Sequence, residues 1–294
     1  MSSLGAVRHW LNSALRPLNL RIESRTADSL EARRLKGLAR AGHFDGPVFP
    51  VLRQFLHCDY AAVLEQVRTY RSVLGAFNRP PSSDGYSFFN DYYSSPDAEI
   101  LYAMVRQYQP RRVVEIGSGN STLLFRRAIA DAALATHLIS IDPDPRRDIV
   151  KHADEVIAQR VEMLDPESTF AELTANDILF IDSSHEVKVG NDVLQLFLSV
   201  LPNLAPGVLV HIHDIFLPYD YPKNWVVDLR WNWTENYLLQ ALLQGSHEFE
   251  VLWAGYYFQR TLPDFAAHFF NPLGANATSV WLRRTSNGDR GNTR

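Results

Sequence analysis

The chain has 294 residues, of which 46% are hydrophobic and 21% are charged, and these values are near those of an ordinary globular protein. The net charge of −4 argues against a nucleic-acid partner, because a phosphate-binding face needs an excess of Lys and Arg. A single cysteine excludes an intramolecular disulfide, and no apolar run is long enough to span a bilayer. We therefore expect a cytoplasmic protein that does not bind nucleic acid.

The first 95 residues are predicted to form a helical cap. In residues 1–22 apolar side chains recur at helical spacing among Arg8, Arg16 and Arg21. This pattern favours a helix that packs on its own protein or on a partner, and a helix on a membrane surface is the alternative. The remaining predicted elements of the cap are helices over 29–41 and 61–77 and a loop over 80–85.

The region 96–285 is predicted to form one α/β domain, and the polar residues 286–294 are predicted to form a flexible tail. A helix over 96–107, with Ser95 or Asp97 near its cap, leads into alternating strands and helices, which are typical of a parallel sheet covered on both faces. The predicted strands are 113–116, 138–141, 156–161, 178–181, 208–212, 249–253 and 279–283. The main predicted helices between them are 122–132, 189–201 and 235–243.

Residues 111–120 are the most informative stretch of the chain. A β-branched run ends in an acidic residue and a Gly-x-Gly turn, and a helix follows. Gly117 and Gly119 let the backbone approach a ligand closely, and a helix start offers unpaired N–H groups. The third glycine of the dinucleotide-binding fingerprint would fall on Thr122, so an NAD site is disfavoured.

Every one of the first five predicted strands is followed by polar residues. In open α/β sheets ligands bind beyond the carboxyl ends of the strands, so these residues form the candidate site. Any single one of them can instead be a helix cap or a solvated loop residue. The candidates, in chain order, are Glu115, Gly117, Ser118, Gly119, Asn120, Asp142, Asp165, Asp182, His185, His213 and Asp214.

The glycine turn with Asp142 resembles motif I and the second-strand acid of class I S-adenosylmethionine (SAM)-dependent methyltransferases. The sequences Phe-Ile-Asp-Ser-Ser-His over 180–185 and His-Ile-His-Asp-Ile-Phe over 211–216 resemble a bacterial branch of small-molecule methyltransferases, akin to the Methyltransf_24 group and to macrolide-sugar and cephalosporin-cluster enzymes. The resemblance implies a doubly wound, Rossmann-like, seven-stranded, mostly parallel sheet whose final strand is antiparallel. It also implies SAM as the cofactor.

The resemblance assigns SAM binding to the glycine turn and to Asp142, whose carboxylate can accept both ribose hydroxyls. The SAM-binding set that we expect is Glu115, Gly117, Ser118, Gly119, Asn120, Asp142, Asp165 and Asp182. Glu115 is expected either to support the turn or to bind the amino-acid end of SAM. In metal-dependent relatives, acids at the ends of the fourth and fifth strands hold a divalent cation, and Asp182 and Asp214 match those positions.

The chain departs from this pattern because His213 stands where many relatives carry a second acid. Magnesium prefers an all-oxygen shell, so the histidines leave the requirement for a metal, and its identity, open. We expect His213 or His185, helped by Asp214, to act as the base that takes the proton of a hydroxyl acceptor. His211 lies deeper in its strand and is expected to be a hydrogen-bonded core histidine.

The leading hypothesis is therefore a SAM-dependent O-methyltransferase that acts on a hydroxyl of a small molecule or a glycan precursor. A SAM-binding module without catalysis, serving a partner through the cap, is the second hypothesis, and an NAD-dependent oxidoreductase is the third. The aromatic residues that follow the fifth strand either wall an acceptor pocket or pack their loop onto the core: Tyr219, Tyr221, Trp225, Trp231, Trp233 and Tyr237. The sequence does not indicate the acceptor, and it leaves a homo-oligomer open.

Overall fold

The computed structural model describes residues 3–20, 26–81, 85–145 and 151–286. The predicted tail after residue 286 and part of the predicted loop over 80–85 lie outside these residues. The chain divides into two compact units. The sheet unit comprises Pro47–Tyr221 and Asn232–Arg294, and the N-terminal unit comprises Met1–Gly46 and Pro222–Trp231.

The sheet unit is built on seven strands in the order β3-β2-β1-β4-β5-β7-β6. The first five strands run parallel, and β7 is antiparallel to both of its neighbours. This confirms the predicted seven-stranded, mostly parallel sheet. The strands are β1 (Arg112–Ile116), β2 (His137–Ile141), β3 (Glu155–Ile157), β4 (Ile178–Ile181), β5 (Leu209–Ile212), β6 (Phe249–Ala254) and β7 (Val280–Arg284).

The central strands form where the sequence has short runs of β-branched and aromatic residues. In β4 and β5 every residue is buried, as is typical of parallel strands covered on both faces. The third strand is shorter than predicted, because it lies at the sheet edge and ends at Ile157. Val161, which the prediction placed in this strand, begins a 3₁₀ turn instead.

Helices cover the sheet and precede it. Those of the sheet unit are α3 (Arg53–Leu56), α4 (Tyr60–Thr69), α5 (Arg71–Leu74), α6 (Asp97–Tyr108), α7 (Asn120–Asp131), α8 (Pro166–Phe170), α9 (Asp192–Gln195), α10 (Glu235–Gly245) and α11 (Gly255–Thr261). The helix predicted over 189–201 begins only at α9, because the Asn191 side chain caps it by accepting a hydrogen bond from the Leu194 N–H. It continues as a wider π-helical turn, Leu196–Val200.

The predicted boundary between residues 95 and 96 falls inside the sheet unit. Residues 47–81 supply buried core side chains, among them Phe55, Val67, Leu74 and Phe77. The apolar faces of these helices pack against α6 and β6, and for that reason they belong to the same unit as the sheet. The segment that is structurally separate is shorter, and it includes the insertion Pro222–Trp231.

The N-terminal unit contains α1 (Ser3–Leu15), α2 (Thr26–Arg40) and the π-helical turn Asn224–Leu229. Arg230 donates a hydrogen bond to the backbone oxygen of Asp28, so the insertion is fastened to the start of α2. Three large apolar residues of α1 and of the turn after it are exposed, Val7 by 55%, Trp10 by 70% and Leu18 by 68%, whereas Leu11 and Leu15 are half-buried. Within the described part of the chain, no helix is long and apolar enough to cross a bilayer.

The sequence favoured packing of α1 on protein and left contact with a membrane surface as the alternative; the exposure of Val7 and Trp10 leads us to take that alternative as a prediction. Residues 1–22 contain arginines and no acidic residue, and Trp10 stands on the apolar face, a combination that favours anionic lipid surfaces. We expect the full-length protein to co-sediment with phosphatidylglycerol vesicles, and Trp10→Glu to reduce the bound fraction several-fold. Leu198→Glu, at an equally exposed apolar side chain of the sheet unit, is the control. Equal binding by both variants would contradict the prediction.

A second prediction concerns Glu99, which is fully buried in α6. Burial raises its pKa to about 7, although hydrogen bonds from Ser95 and from the Phe270 N–H and the nearby charge of Arg71 oppose the shift. Between about pH 4.5 and 7 the folded state holds this proton and the unfolded state does not, so this contribution to stability is lost as the pH rises. Relative to wild type, Glu99→Gln should therefore gain on the order of 2–3 kcal/mol of unfolding free energy from pH 4 to 8. Urea unfolding at the two pH values measures this change, and a difference that does not vary with pH would contradict it.

Candidate active site

The glycine turn follows β1 directly. Gly117 has φ +79°, and a Cβ at this residue would lie 1.9 Å from the backbone oxygen of Asp182. Packing against the end of β4 thus excludes a side chain at residue 117. This is a second reason for glycine here, besides the close approach of a ligand that the sequence suggested. Gly119 has φ +152° with open space around a Cβ, so at this position the backbone conformation alone demands glycine.

Glu115 braces this turn from behind. It is fully buried and accepts hydrogen bonds from the hydroxyls of Ser121 (2.6 Å), Thr122 (2.6 Å) and Ser140 (2.7 Å). Burial raises the pKa of Glu115 to about 7, although the three hydroxyls oppose the shift. Thr122 also accepts a hydrogen bond from the Gly119 N–H, so the residue in place of a third glycine stabilises the helix start. Of the two roles predicted for Glu115, these contacts favour support of the turn.

Asp142, at the end of β2, holds the other side of the turn. One of its oxygens accepts hydrogen bonds from the Ser118 N–H and the Ser118 hydroxyl, both at 2.8 Å. Its second oxygen accepts the N–H of Asp144. The carboxylate is partly exposed, so it can meet a ligand while it fixes the turn.

A cavity of about 370 Å³ opens beside the turn. Predicted residues form one wall, together with Ser121 of α7: Ser118, Gly119, Asn120 and Asp182. The opposite wall is a segment that the sequence analysis did not assign to the site: Pro81, Gly85, Ser87, Phe89, Asn90, Asp91, Tyr92 and Tyr93. The sequence signal that could have indicated this wall is an aromatic-rich stretch directly after a Pro-Pro-Ser-Ser loop.

Asn90 gives this second wall its shape. Its amide nitrogen donates to the backbone oxygens of Ser87 and Tyr93, and its amide oxygen accepts the N–H groups of Tyr92 and Tyr93. Four hydrogen bonds from one side chain close residues 87–93 into a compact turn. This turn carries aromatic rings toward the cavity.

The structure does not bring Asp165 to the site. This residue follows the end of β3 by eight positions and is the N-cap of α8, where its side chain accepts the Ser168 N–H at 3.1 Å. It is exposed, and it is not among the residues that line the cavity. The capping role is the reason that an acid stands there.

The other strand-end candidates converge beside the cavity. Asp182, His185 and Asp214 each offer one side-chain atom that could coordinate a metal, and these three atoms lie within 4.8 Å of one another. The Nε2 atom of His185 is 3.3 Å from Asp182 Oδ1 and 3.7 Å from Asp214 Oδ2. The Nδ1 atom of His213 faces the same two oxygens at 3.9 and 3.6 Å. Asp182 lines the cavity as well, so it joins the cavity to this acid–histidine cluster.

Two members of the cluster have left-handed backbones. His185 has φ +59° and Asp214 has φ +56°, a region that residues other than glycine rarely adopt. Such conformations cost of order 1–3 kcal/mol, and they accumulate at functional sites. The two residues follow neighbouring strands, so the paired distortion turns both side chains toward the same point.

The charges in the cluster stabilise one another. Burial alone would raise the pKa of Asp182, but the adjacent His213 and His185 bring it below its usual range. Burial opposes protonation of His185, yet Asp182 and Glu235 raise its pKa to about 10. Asp214 and Asp182 likewise hold the pKa of His213 well above its ordinary value, against the effect of burial. With no other cation present, this raised pKa favours the protonated form of His213, which donates a proton and does not accept one.

His211 is a core residue, as predicted, but the predicted hydrogen bond is wrong. Its ring stacks on Phe180 at 4.1 Å, and neither of its ring nitrogens has a hydrogen-bond partner among the described residues. Burial and the neighbouring His213 lower its pKa well below the ordinary value, so the ring is neutral. Packing against aromatic rings is what positions it.

Asp97 lies next to the cap of α6, as predicted, but the sequence analysis missed its contribution to the site. The residue at the cap of α6 is Pro96, which makes no side-chain cap bond. The buried Asp97 carboxylate accepts the backbone N–H groups of Thr278 (2.8 Å) and Ser279 (3.1 Å) and lies 3.5 Å from Nε2 of His213. It thus holds the ring of His213 from the side opposite to the cluster.

The aromatic residues after β5 were predicted either to wall an acceptor pocket or to pack their loop onto the core, and they do not all behave alike. In the sheet unit, Tyr221 is buried and packs on Phe216, whereas the ring of Trp233 lies 4.3 Å from the ring of His185. In the N-terminal unit, Trp225 and Trp231 pair with each other at 5.0 Å. Only Trp233 of these residues is seen against a member of the cluster.

Residues 114–215, about a third of the chain, match the sequence profile of a family described as a methyltransferase domain. This segment belongs to that family. The match runs from β1 to just beyond β5 and includes the glycine turn, Asp182, His185, His213 and Asp214. Together with the observed strand order, it makes the chain a class I methyltransferase. A search of curated proteins finds no match.

Several solved structures are similar to the methyltransferase fold of this chain. An O-methyltransferase from Bacillus cereus, in complex with S-adenosylhomocysteine (SAH), is 15% identical, with 76% of this chain and 91% of that chain covered and a TM-score of 0.41. The SAH-bound methyltransferase PaMTH1 from Podospora anserina is 17% identical, with 91% and 98% covered and a TM-score of 0.41. CmcI with magnesium and SAM is 17% identical, with 72% and 84% covered and a TM-score of 0.39.

Proposed function

We propose that this methyltransferase transfers the methyl group of SAM to a hydroxyl of a small molecule or a glycan precursor. The observation that carries the proposal is the position of Asp182, which lines the cavity beside the glycine turn and also belongs to the acid–histidine cluster. A cofactor in the cavity and an acceptor at the cluster would meet at this residue. Methyl transfer is an in-line displacement, so this adjacency is what the reaction needs.

The cofactor half of the site would be formed by the turn and the second wall of the cavity. Asp142 would accept the ribose hydroxyls, and the backbone at Gly119 and Asn120 would contact the methionine part. The turn of residues 87–93 would cover the cofactor with its aromatic rings and keep water from the sulfonium. Glu115 would act only by holding the turn.

The acceptor half fits a divalent cation, because two carboxylate oxygens and one imidazole nitrogen face a common point. Asp182, Asp214 and His185 would hold it, and this mixed donor set suits Mn²⁺ or Fe²⁺ better than Mg²⁺. A cation bound there would lower the pKa of the acceptor hydroxyl and hold its oxygen in place. The added positive charge would also favour the neutral form of His213, which could then accept the hydroxyl proton. Asp97 would keep the ring of His213 in that orientation.

Ligand-dependent thermal shifts and a turnover assay together separate the three hypotheses. We expect SAM and SAH to raise the melting temperature by several degrees and NAD to leave it unchanged, because binding to the folded state stabilises it by mass action. Formation of SAH on incubation with hydroxylated small molecules and sugars would then separate an enzyme from a binding module. A shift with NAD and none with SAM would overturn the proposal. Methyl groups found only on nitrogen or carbon in the product would overturn O-methylation.

A further inference from the structure

The side chain of His185 is held from both ring nitrogens. Its Nε2 faces Asp182 and Asp214, as described above, and its Nδ1 lies 3.0 Å from Oε2 of Glu235. Glu235 is fully buried and is the first residue of α10, in a part of the chain that neither the sequence motifs nor the methyltransferase match includes. Nothing in the sequence pattern pointed to it.

The backbone around Glu235 is clamped to the segment that carries His185. The N–H groups of Thr234 and Glu235 both donate to the backbone oxygen of His185, at 2.8 and 3.1 Å. The hydroxyl of Thr234 accepts the Val187 N–H at 2.6 Å. The ring of Trp233 lies against the imidazole of His185. The segment 233–235 therefore contacts the backbone oxygen, the ring face and the Nδ1 atom of His185.

Among the described residues two other glutamates are fully buried, and their hydrogen bonds join structural elements, unlike those of Glu235. Glu115 is bonded to three hydroxyls, and Glu99 to a serine and to a backbone N–H of a distant loop. Glu235 Oε2 is bonded to His185, and its second oxygen has no partner among the described residues. A buried carboxyl group is costly to desolvate, so one whose single side-chain contact is a site histidine is poorly explained as a brace of the fold.

We propose that Glu235 is a positioning residue of the active site: it fixes the ring orientation of His185 and would keep the Nδ1 proton in place, so that Nε2 is the atom free to bind a cation held between Asp182 and Asp214. A carboxylate accepts hydrogen bonds and does not donate them, so a neutral imidazole beside Glu235 must carry its proton on Nδ1. This is the arrangement in which a carboxylate orients a metal-binding histidine. The inference rests on the proposed function, which supplies the cation that Nε2 of His185 would bind. It adds Glu235 as the residue that leaves Nε2 available.

The test compares Glu235→Gln and Glu235→Leu with wild type, using Glu99→Gln as a matched control because Glu99 is equally buried and lies outside the site. Calorimetric titration of the full-length protein with Mn²⁺ is the first measurement. We expect Glu235→Leu to lose at least about 10-fold in Mn²⁺ affinity and Glu235→Gln to be intermediate, since a glutamine amide can offer Nδ1 either its oxygen or its NH₂ group. SAM affinity should stay within about 2-fold, because Glu235 does not line the cavity.

NMR titration of the His185 ring in the metal-free protein is the second measurement, and it does not depend on a cation. Both Glu235 variants should lower the midpoint of this titration, and Glu99→Gln should leave it unchanged. Equal Mn²⁺ affinity in wild type and Glu235→Leu overturns the inference and leaves the proposed function standing. If wild type binds no Mn²⁺, the cation of the proposed function is wrong, and the NMR result alone decides the role of Glu235. An unchanged midpoint then overturns that role, and a lowered midpoint supports it.

Discussion

Replacing Asp214 with asparagine should lower the rate of methyl transfer by at least about 10²-fold while SAM affinity stays within about 3-fold. Asp214 supplies one of the two carboxylates that face His185 and His213, but it does not line the cavity. The loss of rate follows from the loss of a charge that aligns and activates the acceptor, an effect typically worth 10²–10⁴-fold. Asparagine tolerates a left-handed backbone, so the fold should survive at φ +56°.

Steady-state kinetics and calorimetry with SAM measure the two quantities. Asp165→Asn is the matched control, because Asp165 follows an earlier strand of the same sheet and only caps α8. A chelator should reproduce the loss of rate in wild type and have little further effect on Asp214→Asn. Near-normal turnover by Asp214→Asn would place the chemistry elsewhere in the site.

The second large effect is expected on cofactor binding. Asp142→Ala should weaken SAM affinity by about 10-fold or more, because hydrogen bonds to a charged group are worth about 1.5–3 kcal/mol. The structure adds a second cause, since the same carboxylate fixes Ser118 of the glycine turn through two hydrogen bonds. Both bonds go to the same carboxylate oxygen, so Asp142→Asn can keep an acceptor for them in its amide oxygen and should lose less.

Calorimetric titration with SAM measures this effect, and Asp144→Ala is the control. Asp144 is exposed, and its backbone N–H, which alanine retains, makes the contact to Asp142. The assignment of Asp142 to SAM does not survive if the alanine variant at Asp142 binds SAM as tightly as wild type.

Much of the fold could be predicted from the sequence because its signals are local. Runs such as Ile178–Ile181 are apolar and bounded by polar residues, so a buried strand is the structure that satisfies them. The convergence of Asp182, His185, His213 and Asp214 follows from the same signals, because the ends of parallel strands meet at one edge of the sheet. The resemblance of the glycine turn then indicated a methyltransferase.

The errors arose where a residue's partner is distant in the chain. Asp97 was expected only near the cap of α6, and its role at the site was missed because its partners Thr278 and Ser279 are 181 and 182 positions away. Asp165 follows β3 in the sequence, but it caps the short helix α8 and does not line the cavity. The boundary expected at residue 95 falls inside the sheet unit, since the apolar faces of the helices over 47–81 pack within that unit.

The sequence by itself thus determined the strands, the glycine turn and the polar strand ends, since each depends on neighbouring residues and on backbone propensity. Only the tertiary structure decided which side chains orient the reactive ones. Glu235 is 50 positions from His185, and the turn of residues 87–93 faces the glycine turn across the cavity, although neither carries a motif. Buried charge pairs and cavity walls are formed by the packing of distant segments, and for that reason they cannot be predicted from the periodicity or composition of the sequence.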